Sequence, residues 1–142
     1  MAQRELEEIT ADECLALLGT ARIGRLVYSD ELGPVAVPVN YAMSGDRIVI
    51  RVGGGAKRRA MEQPLLAFEV DHIDDAEQSG WSVIARGAGQ EVPADHVPSL
   101  LHTLGRDFPA PWAFGVHNVW LMITPQILTG RRLGPRRIAA AY

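Results

Sequence analysis

The sequence predicts a mainly β domain whose strands close into an antiparallel barrel with a few short helices. Three observations support this fold class: about six segments alternate apolar and polar residues, most connections are short, and helical character is confined to two or three short stretches. Because full-length crossover helices are missing between the strands, a doubly wound parallel sheet is not expected. We find no long linker, so residues 1–142 are expected to form a single domain.

A short helix is expected near the start of the domain. Thr10 and Glu13 have the spacing of a capping box, the mainly apolar run 14–18 follows them, and Gly19 is placed to end the helix. Cys14 has apolar neighbours and is expected in the core. Because it is the single cysteine of the chain, an intramolecular disulfide and a multi-cysteine metal site are excluded.

Strands and further short helices follow in order, each bounded by turn residues. Pro38 cannot donate a ladder hydrogen bond, so its strand is expected to be an edge or to carry a bulge. Gly87 and Gly89 predict a bend or bulge in the fifth strand. We place the strands at residues 22–28, 35–41, 47–52, 65–71, 81–92 and 118–133. Other elements expected are helices at 57–63 and 93–104 and a proline-rich turn at 108–112.

The composition shows no strong charge bias. The formal net charge is −3, the isoelectric point is near 5.8, and 47% of the residues are hydrophobic. This balance argues against a nucleic-acid or anionic-membrane binder. No apolar stretch approaches the roughly 18 residues of a transmembrane helix, and the acidic N-terminus does not resemble a secretion signal. We therefore expect a cytoplasmic protein without nucleic-acid or membrane partners.

The segment 51–57, Arg-Val-Gly-Gly-Gly-Ala-Lys, is the most informative feature for function. Consecutive glycines expose backbone amides and permit positive φ, so the chain can fold around an anion, and Arg51 and Lys57 bracket the segment with two cations. A phosphate at the N-terminus of the next helix would suit this arrangement. The alternative is a flexible hairpin end. The spacing matches neither the Walker phosphate loop nor the dinucleotide-binding glycine motif.

Two further segments are candidates for binding a planar cofactor. Around Pro38, strand-edge groups and the amide of Asn40 could pair with a heterocycle, although alternating valines are also typical of a core strand. Trp81 and Ser82 offer a stacking surface and a hydroxyl, with a core tryptophan as the alternative. The four histidines lie far apart and predict no metal site, and no catalytic triad can be assigned.

Taken in chain order, these segments resemble the pyridoxamine 5′-phosphate oxidase-like flavoproteins with an FMN-binding split barrel. They are most similar to the small nitroimidazole-reductase-like branch of that family. The resemblance covers residues 10–92 well and the closing strand, at about 118–133, more loosely. It implies a six-stranded antiparallel split barrel. The segments that carry it are 18–26, 34–41, 45–51, the glycine segment to Lys57, 67–71 and 80–87.

The resemblance also implies a homodimer with FMN lying between the subunits. Arg51, Lys57 and the amides of residues 54–56 would hold the phosphate. Residues 39–41 would line the edge of the isoalloxazine ring, and residues 81 and 82 would lie near the cofactor. The implied cofactor-binding residues are therefore Val39, Asn40, Tyr41, Arg51, Gly54, Gly55, Ala56, Lys57, Trp81 and Ser82.

The expected function is that of an FMN-dependent oxidoreductase, in which reduced flavin passes hydride or electrons to a small nitro-aromatic or quinone-like acceptor. The alternatives are a deazaflavin-dependent reductase on the same fold and a non-catalytic protein that holds flavin or haem as a sensor or store. Oxidation of vitamin B6 is not expected. The family's arginine- and histidine-rich site for the substrate phosphate is matched here only by Gly130-Arg-Arg132.

Overall fold

The computed structural model describes residues 4–105 and 119–134, which contain seven strands and three helices. The strands are β1 (Leu6–Ile9), β2 (Ile23–Asp30), β3 (Gly33–Ser44), β4 (Arg47–Val52), β5 (Leu66–Asp74), β6 (Ser79–Glu91) and β7 (Val119–Leu133). The helices are α1 (Ala11–Leu18), α2 (Gly54–Met61) and α3 (Val97–Leu104).

Six of these strands close into an antiparallel barrel, which confirms the predicted fold class. The order around the ring is β7, β4, β3, β2, β5 and β6, and β6 pairs again with β7 to close it. The first half of β7 pairs with β4, and its second half pairs with β1. β7 therefore forms ladders with three strands and connects the barrel to the added strand β1.

Apolar side chains fill the barrel and supply its main stabilisation through burial. α1 packs against β6 and β7, and its Cys14 and Leu18 are fully buried in the same core, as expected for Cys14. A smaller cluster lies outside the barrel, where Leu100 and Leu104 of α3 cover Trp120. The largest strand residues of the barrel core include Leu26, Ile48, Ile50, Phe68, Leu121 and Ile123.

The split of the barrel lies between β3 and β4. β4 pairs only with residues 41–44 of β3, whereas β2 pairs with residues 33–40 in an unbroken register through Pro38. The Tyr41 amide donates to the Arg22 carbonyl beside β2, so strand alternation turns the Pro38 nitrogen away from β2. On that side, residues 33–40 have no strand partner within the described part of the chain. The edge interpretation of Pro38 is therefore correct, and the bulge interpretation is not.

The predicted irregularity at Gly87 is confirmed. The β6–β7 register shifts between Arg86 and Gly87, and Gln126 is the extra residue on β7. A Cβ atom on Gly87 would lie 2.0 Å from the Thr124 carbonyl oxygen, so the close approach of the two backbones requires glycine.

Several sequence-based boundaries were wrong. α2 begins at Gly54, not at residue 57, so the glycine segment is the first turn of a helix. The glycines of this segment do not use the positive φ that glycine permits; among the described glycines, positive φ occurs at Gly33, Gly45, Gly80 and Gly105. β1 was not predicted, and α3 begins at Val97 rather than at residue 93. The proline-rich turn expected at 108–112 and residue 118 of the last strand lie outside the described residues.

Candidate functional site

The junction between β4 and α2 presents free backbone amides. Gly53 caps α2 with an extended backbone, φ −78° and ψ 166°, and contributes no side-chain hydrogen bond. The Lys57 amide donates to the Gly53 carbonyl at 3.1 Å. The amides of Gly54, Gly55 and Ala56 precede this first intrahelical bond, so helix geometry leaves them available to an anion.

The space around these amides is open. A Cβ atom built on Gly54 or on Gly55 would meet no atom within 4 Å among the described residues. Both glycines are exposed and lie in the helix. Because helical backbone accepts any side chain of ordinary propensity, the conformation of this turn does not itself require glycine. The missing side chains leave room for a group to approach the amides closely.

Arg51 lies on the outer face of β4, beside this junction. It is opposite Trp120 in the β4–β7 ladder, and its Cζ atom is 5.1 Å from the centroid of the Trp120 ring. Trp120 is only 6% exposed, so the indole is a fixed surface for the guanidinium. This cation–π contact holds one of the two predicted cations near the start of α2.

Lys57, the other predicted cation, has a partner that the sequence did not indicate. Its Nζ atom is 2.7 Å from Oε2 of Glu91, the last residue of β6. The two side chains are 35% and 44% exposed, so the ion pair lies at the protein surface. The structure thus brings Arg51 and Lys57 to the same junction but adds a carboxylate there.

A third cation at α2 was overlooked. Arg58 follows Lys57 directly and is exposed, and no ion pair to it is found in residues 4–105 and 119–134. The neighbouring Arg59 instead contacts Asp30 and Glu31 at 3.2 and 3.3 Å. The run of three basic residues was a signal in the sequence, but it could not show which of them is held by carboxylates.

The side chains of residues 39–41 alternate between the inner and outer faces of the barrel. The Tyr41 side chain is 2% exposed, donates its hydroxyl hydrogen to the Leu18 carbonyl, and meets Phe68 edge-on at 5.0 Å. Burial raises the pKa of this phenol to about 12. Val39 also packs against the barrel core, whereas Asn40 alternates to the outer face. By the same alternation, the Asn40 backbone faces the split, so Asn40 is the residue of this segment best placed to meet a ligand there.

Trp81 and Ser82 lie on β6, away from Asn40. Ser82 pairs with Asp71 of β5, and Asn40 pairs with Ile23 of β2. If the β2–β5 register is continued by two residues, Ile23 lies opposite Asp71, so that Asn40, Ile23, Asp71 and Ser82 form one row across β3, β2, β5 and β6. Asn40 and Ser82 are then three strand spacings apart, or roughly 14 Å. Trp81 packs partly against the barrel core. Within one chain, these two residues therefore do not converge with Asn40.

A charged cluster lies on the outer face between those two positions. Arg25 Nη1 is 3.2 Å from Oε2 of Glu69 and 3.1 Å from Oδ2 of Asp71. Burial and the neighbouring Asp71 carboxylate raise the pKa of Glu69 to about 7, against the opposing effect of Arg25. This cluster was not predicted, because Arg25 meets Glu69 and Asp71 only through the β2–β5 pairing.

No group of three or more histidine, cysteine, aspartate and glutamate side chains is arranged to hold a metal ion in residues 4–105 and 119–134. Across the same ranges, no helix has the length and apolar character needed to cross a bilayer.

The sequence is similar to a known protein family and to a mycobacterial protein. The family model described as pyridoxamine 5′-phosphate oxidase matches residues 10–132. A relative from Mycobacterium tuberculosis, itself uncharacterized, is 29% identical over 140 residues, which cover 92% of this chain and 87% of the relative.

Solved structures share the fold. An FAD-binding protein from Mycobacterium smegmatis superimposes with a TM-score of 0.66 and 25% identity, covering 90% of this chain and 98% of that one. A proposed 5-nitroimidazole antibiotic resistance protein from Bacteroides thetaiotaomicron gives a TM-score of 0.72 at 14% identity, covering 94% and 91% of the two chains.

Proposed function

This chain belongs to the pyridoxamine 5′-phosphate oxidase family, and from that premise we propose that it is a flavin-dependent oxidoreductase. In this proposal a homodimer binds FMN and passes electrons from the reduced flavin to a small nitro-aromatic or quinone-like acceptor. The proposal keeps the cytoplasmic setting expected from the sequence. Its main support is the β4–α2 junction, where free amides, open space and two cations occur together.

The junction suits the phosphate of a flavin nucleotide. The amides of residues 54–56 precede the first intrahelical hydrogen bond, and the positive end of the α2 dipole lies at the same place. Arg51 and Lys57 would add charge-assisted hydrogen bonds to the phosphate oxygens. A side chain on Gly54 or Gly55 would occupy the space that the phosphate needs.

The split beside β3 suits the edge of the flavin ring. Asn40 is next to Tyr41 on β3 and Arg51 is next to Ile50 on β4, and Tyr41 with Ile50 is the β3–β4 pair at the edge of the split. A cofactor with its phosphate at α2 would therefore have its ring near Asn40. Because Ser82 lies about 14 Å across the sheet from Asn40, we propose that Ser82 and the neighbouring Trp81 reach the cofactor from the second subunit.

FMN is the cofactor we propose, since one helix N-terminus with two cations suits a single terminal phosphate. FAD is named for the Mycobacterium smegmatis structure and is the main alternative. A deazaflavin would present its phosphate to the same residues. The protein's own role is to bind, orient and shield the flavin, and the flavin supplies the redox chemistry.

The acceptor is proposed to be small and aromatic rather than pyridoxamine 5′-phosphate. The Bacteroides thetaiotaomicron structure, by its description, concerns nitroimidazole resistance, which supports a nitro-aromatic acceptor. Arg131 and Arg132 are neighbours in β7, so their side chains point to opposite faces of the sheet. Arg132 also contacts Glu13 at 2.6 Å. The two arginines are therefore poorly placed to clamp one substrate phosphate.

The first test is an absorption spectrum of the purified protein with mass spectrometry of the released cofactor. A flavin spectrum and the mass of FMN are expected, whereas the mass of FAD or of a deazaflavin would change the cofactor assignment. A Soret band would indicate haem and overturn the proposal. Flavin reduction by a reduced nicotinamide, followed by reoxidation with a nitro-aromatic or benzoquinone, tests the activity. A flavin that undergoes neither step would indicate a storage or sensor protein.

The second test concerns the binding residues. The double variant Arg51→Ala/Lys57→Ala should weaken FMN binding at least about 100-fold, because each cation supplies a charge-assisted bond of about 1.5–3 kcal/mol. The control Arg47→Ala/Arg86→Ala removes the same number of charges outside the β4–α2 junction and should bind FMN almost as the wild type does. If both double variants retain flavin equally, the phosphate does not lie at this junction.

A further inference from the structure

We infer that Glu91 is a competing anion built into the proposed phosphate site and that it lowers the affinity of this site for flavin phosphate. The inference rests on the proposed function. It begins from the 2.7 Å contact between Glu91 Oε2 and Lys57 Nζ. In the free protein, the cation expected to hold the phosphate is therefore already paired with a carboxylate.

The backbone of Glu91 is fixed beside the other predicted cation. Glu91 is opposite Leu121 in the β6–β7 ladder, and the amide of the next residue, Val92, donates to the Trp120 carbonyl at 2.8 Å. Trp120 carries Arg51 on its ring. Glu91 is thus anchored at the strand end that adjoins both cations, and its side chain is directed to Lys57 by the ion pair.

A phosphate that binds at α2 would have to separate this ion pair. The side chains of Lys57 and Glu91 are 35% and 44% exposed, so the pair is weak enough for a dianionic phosphate to displace the carboxylate. The displaced Glu91 would still lie beside the phosphate as a like charge. Both effects oppose the binding of a phosphorylated flavin, and neither acts on riboflavin, which has no phosphate.

The measurement is the dissociation constant of FMN and of riboflavin, followed by flavin fluorescence. Glu91→Gln keeps the shape of the side chain and should tighten FMN binding about fivefold, the scale of an exposed ion pair, while riboflavin binding stays unchanged. Glu91→Asp keeps the charge and should stay close to the wild type. Glu62→Gln removes the same charge at the other end of α2 and should change FMN affinity less than about twofold.

The role of Lys57 is tested by a double-mutant cycle. In a Lys57→Ala background, the further change Glu91→Gln should tighten FMN binding less than it does in the wild type, because no ion pair has to be broken and only the like charge of Glu91 beside the phosphate is removed. If Glu91→Gln leaves FMN affinity unchanged, or improves riboflavin binding equally, the inference about Glu91 is wrong even when Arg51→Ala still weakens FMN. If the wild type binds neither flavin, the proposed function and this inference fail together.

Discussion

The guanidinium of Arg51 lies over the indole ring of Trp120, with Arg51 Cζ 5.1 Å from the ring centroid. The two residues are direct partners in the β4–β7 ladder, so the strand register creates the contact. Trp120 is buried by Leu100 and Leu104 of α3. This arrangement connects the packing of α3 on the outer face of the barrel to the position of a cation at the proposed phosphate site.

The Arg51–Trp120 contact should contribute measurably to stability without any cofactor. A double-mutant cycle with Arg51→Ala and Trp120→Leu should give a coupling free energy of about 0.5–1 kcal/mol, the usual range of a partly exposed cation–π pair. Urea unfolding of flavin-free protein measures it. Arg47→Ala is the control, because Arg47 is on the same face of β4 but contacts Met122 instead. Equal coupling of Trp120 to both arginines would contradict a specific contact.

Gly55→Ala should distinguish a phosphate-binding role of the glycine segment from a purely structural role. The methyl group meets open space, and alanine is the better helix former, so the flavin-free variant should be more stable by up to about 1 kcal/mol. FMN binding should weaken, because the methyl group would occupy space beside the amides. A loss of stability without an effect on FMN would instead indicate a structural turn.

Gly45→Ala provides the matched control for that variant. A Cβ atom on Gly45 also meets open space, but Gly45 has φ +61°, a backbone conformation unfavourable for alanine. Thermal or urea unfolding should show a loss of about 1 kcal/mol, with FMN affinity unchanged.

Most of the fold could be predicted because its strands carry local signals. The period of two in β3 and β4 and the capping box of α1 depend on neighbouring residues only, and they were placed within a few positions. β1 was missed because Leu6-Glu-Glu-Ile9 has no alternation of its own, and it becomes a strand by pairing with residues 130–133. The start of α2 was misplaced because glycine has low helix propensity and Gly53 offers no side-chain cap.

The candidate site was predictable only where one short segment supplies it. Arg51, the glycines and Lys57 are close in sequence, so their combination could be recognised. The contacts that modify them, Trp120 with Arg51 and Glu91 with Lys57, come from strands distant in sequence and depend on the register of β7 with β4 and β6. The same limit applies to Tyr41. The family resemblance places it at the edge of the flavin ring, and the neighbouring sequence does not indicate that its phenol is buried in the core.

Tyr41→Phe should affect stability and not the cofactor. The hydroxyl donates to the Leu18 carbonyl inside the barrel, and its removal leaves that carbonyl without this donor, at an expected cost of about 1 kcal/mol. Urea unfolding measures this loss, and FMN titration should show an affinity within about twofold of the wild type. A large loss of FMN affinity at unchanged stability would mean that the phenol meets the cofactor directly.

The Glu69–Asp71 pair should make stability depend on pH near neutrality. Burial first, and then the hydrogen bond and charge of Asp71, raise the pKa of Glu69 from 4.5 to about 7, so between these values the folded state binds more protons than the unfolded state. Stability from this group is therefore complete below pH 4.5 and is lost as pH rises through about 7. Urea midpoints measured from pH 5 to 8 should fall more steeply for the wild type than for Glu69→Gln, while Glu62→Gln should follow the wild type.

Asp71→Asn should lower the Glu69 pKa, as read from its carboxyl NMR signal, because it removes the charge that disfavours ionisation. An unchanged pKa in that variant would show that burial alone is responsible.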